Sequence, residues 1–241
     1  MTSLDLGRIR AVTLDAAGTL LEPTPSVGAI YAEVAAELGW THWQPAELDA
    51  RFRAAWSTKG MFDFSPVSWL NLVTRVTEGL APEPLSLRYF PLVWERFNAA
   101  RCWRVYPEVS SVLHGLCEQG WRLAVVSNWD ERLHRVLQAT GLAPSFEFIL
   151  PSTEAPRPKP DPGIFQQAAE RLGVEVASLL HVGDSRREDW EGAIAAGAQA
   201  LLIDRRTPPD PNALTSLEPL PQLLQRANPP AKVDLFLKAV R

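Results

Sequence analysis

Between residues 107 and 203 the chain alternates short apolar runs with amphipathic segments of helical length. The apolar runs are 122–126, 146–150, 179–182 and 199–203; the helical segments are 107–119, 130–140, 161–172 and 188–196. This alternation leaves few architectures open. Parallel strands need crossovers of about a dozen residues or more, and helices are the usual way to build them. An earlier run, residues 10–14 (RAVTL), reads as one more buried strand. The expected fold class is therefore α/β, a Rossmann-like doubly wound parallel sheet.

The first strand is separated from the others by a block of different character. Residues 27–38, 46–56, 67–80 and 87–100 carry helical periodicity, with Pro-, Gly- or Ser-containing breaks between them. Six tryptophans (Trp40, Trp43, Trp56, Trp69, Trp94, Trp103) fall in this block, and no comparable strand signal interrupts it. The predicted organisation is an α/β core from residues 1–21 and 105–241, with an all-helical insert over 22–104. An insert leaving the end of the first strand lies over the strand ends, where it would form a lid. One short helix is expected at 220–226 in the proline-punctuated C-terminal stretch.

Composition narrows the function. A net charge of −4 offers no basic footprint for nucleic acid. No apolar run is long enough for a membrane span, and the first residues lack a signal-peptide pattern, so a cytoplasmic location is expected. Cys102 and Cys117 are too few for a zinc site and make a poor disulfide framework. The expected partner is a small-molecule substrate, and the chain fits a monomer or a homodimer equally.

Four polar clusters close apolar runs or open helical ones. They are Asp15-Ala16-Ala17-Gly18-Thr19, Ser127-Asn128, Lys159-Pro160-Asp161-Pro162, and Gly183-Asp184-Ser185 with Asp189. Each alone has a plain explanation: a turn former, a loop, a solvated charge, a helix cap. Their ordered recurrence at strand ends is what points to a site, because α/β sheets gather their chemistry there. The set suits attack on phosphorus. Asp15 is the candidate nucleophile, and a carboxylate serves only when the charge on its electrophile is neutralised. Asp15, Asp184 and Asp189 are hard oxygen donors suited to Mg²⁺. Lys159 would place a point charge on phosphoryl oxygens, and Ser127 and Asn128 would donate hydrogen bonds to them. Backbone N–H groups of Ala16, Gly18 and Thr19 would complete the anion cradle.

The order DxxGTL, VVSN, KPDPGIF and HVGDS with a later Asp resembles the haloacid dehalogenase superfamily, in its branch with a helical cap after the first motif. The match spans nearly the whole chain. The resemblance implies Asp15 as nucleophile and Ser127 and Lys159 as binders of phosphate or intermediate. It implies Mg²⁺ held by Asp15, Asp184 and the backbone carbonyl of Ala17, with Asp189 either a further ligand or an acid supporting the ligands from behind.

Position 17 departs from the pattern. Phosphatases of this superfamily carry a second Asp there, which protonates the leaving oxygen and later activates water. Loss of a general acid–base costs about 10²–10⁴ in rate, roughly 3–5 kcal/mol of barrier. Two branches do without it. Dehalogenases displace halide but typically lose the metal-site acid that Asp184 and Asp189 retain here. Phosphonoacetaldehyde hydrolases have Ala and form a Schiff base with a lysine of the cap, and Lys59 is the one lysine within 22–104. The surrounding Ser57–Phe62 stretch does not look like that branch's lysine segment. Lys59 therefore reads first as an exposed loop residue and second as a substrate-binding one. C–P or C–halogen hydrolysis, and a weakly active protein used as a binding module, stand as alternatives to phosphate hydrolysis. His181 reads as a packed core histidine. Trp56, Phe62, Phe64 and Trp69 are expected either to line a pocket or to fill the helical core.

Overall fold

The computed structural model describes residues 4–225, apart from 83, 86 and 207. Its centre is a parallel five-stranded sheet in the order β5-β4-β1-β6-β7. The strands are β1 (Ala11–Leu14), β4 (Arg122–Ser127), β5 (Phe148–Pro151), β6 (Leu179–Gly183) and β7 (Gln199–Leu202). The chain builds β1, winds outward through β4 and β5, then crosses back to lay β6 and β7 on the other side. The reversal opens a crevice at the carboxyl ends of the three central strands, and Leu14 of β1 sits there between Val125 and Val182.

Both faces of the sheet are covered, so its central strands are buried without alternation. Every residue of β1 and β6 is buried. Val12, Leu14, Val125 and Val182 face a core shared with α5 (Val109–Glu118), α6 (Arg132–Ala139) and α9 (Leu220–Leu224). Ala11, Ala124 and Val126 face the opposite side, against α7 (Pro162–Arg171) and α8 (Gly192–Ala195). The helix expected at 220–226 is observed over its first residues; Arg226 lies outside the described residues.

Four helices lie between β1 and α5: α1 (Val27–Glu37), α2 (Pro45–Ser57), α3 (Pro66–Val76) and α4 (Tyr89–Arg96). They pack a core of their own around Tyr31, Leu48, Phe64, Val73 and Tyr89, distinct from the two cores of the sheet. Ser26 and Ser65 cap α1 and α3 by accepting from Ala29 and Ser68 amides at 3.1 and 3.2 Å. A feature absent from the sequence reading joins the two regions. Strands β2 (Leu21–Pro23) and β3 (Trp103–Val105) form an antiparallel ribbon at the entry and exit of the helical block. Three residues per strand, one of them Pro23, are too few to show a period of two. The ribbon is supported by an ion pair between Arg104 and Glu22 and by the Tyr106 hydroxyl donating to Glu22 at 3.2 Å.

Candidate active site

Asp15 follows β1 directly, and its N–H donates to the Val182 carbonyl at 2.9 Å, which prolongs the sheet register by one residue. The chain then turns away sharply. Gly18 has φ +83°, and a Cβ there would fall 2.5 Å from an Asp184 carboxylate oxygen. Gly183 plays the same part at the end of β6, where a Cβ would meet Asp189 Cγ at 2.2 Å. These two glycines let two carboxylates close on the end of β1.

Asp189 arrives by an unusual route. Residues Arg186–Glu191 form a π-helical turn, a geometry that recurs at functional sites. Ser185 starts it, its hydroxyl accepting from the Glu188 amide at 3.1 Å while its own N–H donates to Asp189 Oδ2 at 2.8 Å. The wider turn folds the Asp189 carboxylate back under Asp184.

Lys159 stands behind the carboxylates. Its ammonium donates to Asp15 Oδ1 at 2.6 Å, to the Val126 carbonyl at 2.9 Å and to Asp189 Oδ1. All three protons have acceptors, and the residue is 3% exposed. Asn128 holds it there: its side-chain oxygen accepts from the Lys159 amide at 2.7 Å, and its Nδ2 donates to the Lys159 carbonyl at 2.9 Å. Beneath them, His181 Nε2 lies 3.0 Å from Asp189 Oδ1 and its Nδ1 lies 2.9 Å from Thr13 Oγ1. An ionised carboxylate only accepts, so the ring carries its proton on Nε2 and accepts from Thr13.

Electrostatics separate the three acids. Burial would raise Asp189, but Lys159 and the His181 N–H outweigh it and hold this carboxyl well below the usual range. Burial raises Asp15 to about 6; Lys159 opposes the rise and Asp189 adds to it. Asp184 opens toward the crevice, yet loss of solvent there and the charges of Asp15 and Asp189 push it up to about 8 against Lys159. Burial depresses His181 and favours its neutral form.

Oxygen atoms of Asp15, Asp184 and Asp189 lie within 4.8 Å of one another. A cluster of three hard donors that repel one another fits a divalent cation such as Mg²⁺, which would relieve the repulsion. The glycine at 18 keeps space beside Asp184 open for this arrangement.

From these carboxylates a cavity of about 590 Å³ runs up between the sheet and the helical block. Asp15, Ala17, Gly18, Ser127, Asn128 and Asp184 form its floor. Across from them stand rings of the helical block. Phe52 stacks on Trp56 (5.9 Å, 15°), and Trp56 stacks on Trp69 (5.7 Å, 19°). At the seam, Arg132 binds Asp130 through two nitrogens at 2.7 Å, and Trp69 Nε1 donates to the same carboxylate at 2.9 Å. The Arg132 guanidinium lies 3.4 Å from the centre of the Trp94 ring.

The placement of the predicted residues is uneven. Asp15, Ser127, Asp184 and Asp189 converge on the cavity, with Lys159 behind them. Ala17 is exposed to the cavity and presents no carboxyl. The cradle of backbone donors is smaller than expected. The Gly18 amide is committed to the Leu21 carbonyl and the Thr19 amide to the Ala16 carbonyl, which leaves Ala16 and Ala17 as donors. Thr19 is fully buried, with its carbonyl accepting from Arg205 at 2.7 Å. Asn128 grips Lys159 and Glu188 instead of standing free for a ligand. Lys59 is no solvated loop residue: its ammonium lies 3.6 Å from Glu188 and 4.0 Å from the centre of the Trp56 ring, inside the cavity lining. The aromatic run divides, since Trp56 and Trp69 line the cavity and Phe62 and Phe64 fill the core behind them. His181 is the packed core histidine expected, fully buried against Phe165; the sequence reading does not include Glu188, Asp130 and Arg132 in the site. The signals available were the acid before Asp189 and the Asp-Glu-Arg that follows Ser127-Asn128.

Likeness to known proteins decides the family. Residues 9–197 match the family described as haloacid dehalogenase-like hydrolase. The chain belongs to that family and is a hydrolase of the haloacid dehalogenase superfamily. Among curated relatives, haloacid dehalogenase-like hydrolase domain-containing protein 3 of Danio rerio is 33% identical over 90% of this chain and 97% of its own length. Phosphoglycolate phosphatase of Nitrosospira multiformis is 31% identical over 81% of this chain and 83% of its own. Among solved structures, a HAD phosphatase from Thermococcus onnurineus superposes with a TM-score of 0.66 at 25% identity, covering 90% of this chain and 98% of the other. Among the described residues no helix is long and apolar enough to cross a membrane.

Proposed function

We propose that this hydrolase is a Mg²⁺-dependent phosphatase acting on a small phosphorylated metabolite through an aspartyl-phosphate at Asp15. The observation that carries the reading is the meeting of Asp15, Asp184 and Asp189 with the Lys159 ammonium at one strand end. The likeness to a phosphoglycolate phosphatase over four-fifths of the chain supports it.

Each residue has a part that follows from its place. Asp15 attacks phosphorus, and Lys159 keeps its carboxylate ionised and aimed. Ser127, at the end of β4, faces the same cavity and donates to a phosphoryl oxygen, as do the amides of Ala16 and Ala17. Asp184, Asp189 and the Ala17 carbonyl, with Asp15, would hold Mg²⁺, which would supply the positive charge that phosphoryl transfer needs. Asn128 positions Lys159, and His181 positions Asp189. The helical insert acts as a lid that brings Lys59 and the aromatic wall over the substrate.

Asp15→Asn tests the nucleophile. It should abolish hydrolysis of an aryl phosphate in Mg²⁺; activity persisting at the wild-type level would falsify the assignment. A second reading, C–P hydrolysis, draws on Ala17 and on Lys59 facing the cavity. It predicts that borohydride with a phosphono-aldehyde fixes label on Lys59, and absence of label removes it. C–halogen hydrolysis predicts halide release from a 2-haloacid. Ala17→Asp tests the weak binding-module reading: a large gain in alkyl phosphatase turnover would mark an impaired enzyme, a loss a site built for the alanine.

A further inference from the structure

We infer that the preferred substrates are aryl monophosphates, with the phosphate on the carboxylate floor and the ring against the wall of Phe52, Trp56 and Trp69. The inference rests on the phosphatase reading and adds the chemical class of the group that leaves.

Two independent observations converge on it. The first is the supply of protons in the cavity. Four carboxylates line it. Asp15, Asp184 and Asp189 form the cation cluster, and the fourth, Glu188, has both oxygens occupied. Its Oε2 accepts from Asn128 at 3.1 Å, and Lys59 lies 3.6 Å from its Oε1. Both oxygens thus face donors of the protein, and neither is turned to a leaving group. Arg132 is bound to Asp130 and does not surrender a proton. With Ala17 in place of an acid, the leaving oxygen departs as an anion. A phenolate does so readily and an alkoxide does not.

The second observation is the wall. Phe52, Trp56 and Trp69 stand as a column of near-parallel rings on the cavity, and Trp94 closes one end under Arg132. A polyhydroxylated or zwitterionic group placed there would lose water and gain few hydrogen bonds, which is costly. The Trp69 N–H is already committed to Asp130. An aromatic ring gains apolar burial and ring–ring contact instead. The cavity, about 590 Å³, is large enough for a bicyclic phenol with its phosphate.

The chemistry balances without a proton donor. An Asp15 oxygen bonds to phosphorus as the P–O bond to the ring breaks, and the electron pair leaves on the phenolate. Water then attacks the phosphorus of the aspartyl-phosphate, the bond to Asp15 breaks with its pair returning to the carboxylate, and both water protons stay on the released dihydrogen phosphate.

The test compares kcat/KM in Mg²⁺ for 1-naphthyl phosphate, substituted phenyl phosphates, glycerol 3-phosphate and acetyl phosphate. Acetyl phosphate needs neither the wall nor an acid, so its turnover, lost in Asp15→Asn, reports the phosphatase reading alone. The inference expects aryl over alkyl by about 10²–10⁴ and a steep dependence of rate on phenol pKa. It also expects Phe52→Ala and Trp56→Ala each to raise KM for naphthyl phosphate about tenfold, with a much smaller change in KM for acetyl phosphate. Circular dichroism and the acetyl phosphate rate show whether each variant folds. Comparable rates for glycerol and naphthyl phosphates overturn the inference. So does a shallow dependence on phenol pKa that steepens in Lys59→Met, which would identify Lys59 as an acid. Hydrolysis of acetyl phosphate with neither outcome expected for the wall variants overturns the role of the rings and leaves the nucleophile standing.

Discussion

The two sides of the cavity are built on opposite principles. On the sheet side nearly every polar atom is tied to another: Lys159 to three acceptors, Asp189 to Lys159, His181 and the Ser185 amide, and Asn128 to the Lys159 backbone at both ends. On the helical side the surface is stacked rings, with Lys59 as its one ammonium among the described residues. The floor is rigid because charges buried at close range tolerate no slack. The wall is tolerant because ring packing is broad in geometry. On the proposed reading, chemistry is confined to the sheet and choice of substrate to the insert.

The comparison can be broken most forcefully at Lys159. Lys159→Met leaves Asp15 and Asp189 buried without their cation, and removing one partner of a buried pair costs on the order of 3–5 kcal/mol. Urea unfolding should show that loss, and Mg²⁺ should restore more stability to the variant than it adds to wild type, because it supplies charge at the same acids. At the seam, Arg132→Met strands Asp130, which is fully buried, and should cost about 3 kcal/mol. Its loss should be insensitive to Mg²⁺. If the cation rescues Arg132→Met as well, floor and wall are not separate.

A pH titration sharpens the contrast further. Asp15 and Asp184 are raised from 3.8 to about 6 and about 8 in the metal-free protein. Groups raised in the folded state stabilise it fully below their unfolded pKa and lose that contribution as pH climbs through the folded value. Metal-free stability from this pair should therefore fall between about pH 4 and pH 8. The cation must displace these protons, so its affinity should rise by about tenfold per unit between pH 6 and 8 and flatten above. Calorimetry in buffers of different ionisation enthalpy measures the protons released; none released would contradict the shifts. The smallest effect is expected at Lys59. Its pair with Glu188 is long and partly solvated, so Lys59→Met should change stability by under about 1 kcal/mol.

Much of the floor was legible in the sequence because it follows from strand register. A short strand-forming run that then meets Asp15 and Gly18 delivers that carboxylate to the carboxyl end of the sheet whatever surrounds it, and Ser127 and Asp184 obey the same rule. The wall was not legible. Helical periodicity shows which faces of α2 and α3 are apolar, but it says nothing of Phe62 in the loop between them, and only the packing of the four helices decides that Trp56 and Trp69 meet the cavity while Phe62 fills the core. The ribbon of β2 and β3 was hidden by its shortness. The Thr19 amide and the Asn128 side chain have the chemistry of ligand contacts, yet both find partners within the protein first.

Taken by itself, the sequence determined that a parallel sheet would form, that its central strand would end in a carboxylate, and that helices would intervene before the sheet resumed. Those outcomes depend on local periodicity and on residues adjacent in the chain. Tertiary structure alone decided that Lys159 stands behind the acids, that a π-helical turn carries Asp189 to them through Ser185, and that Lys59, some forty residues from Asp15, faces the same cavity. Contacts between groups far apart in sequence are set by how helices and strands pack, and no local pattern encodes that distance.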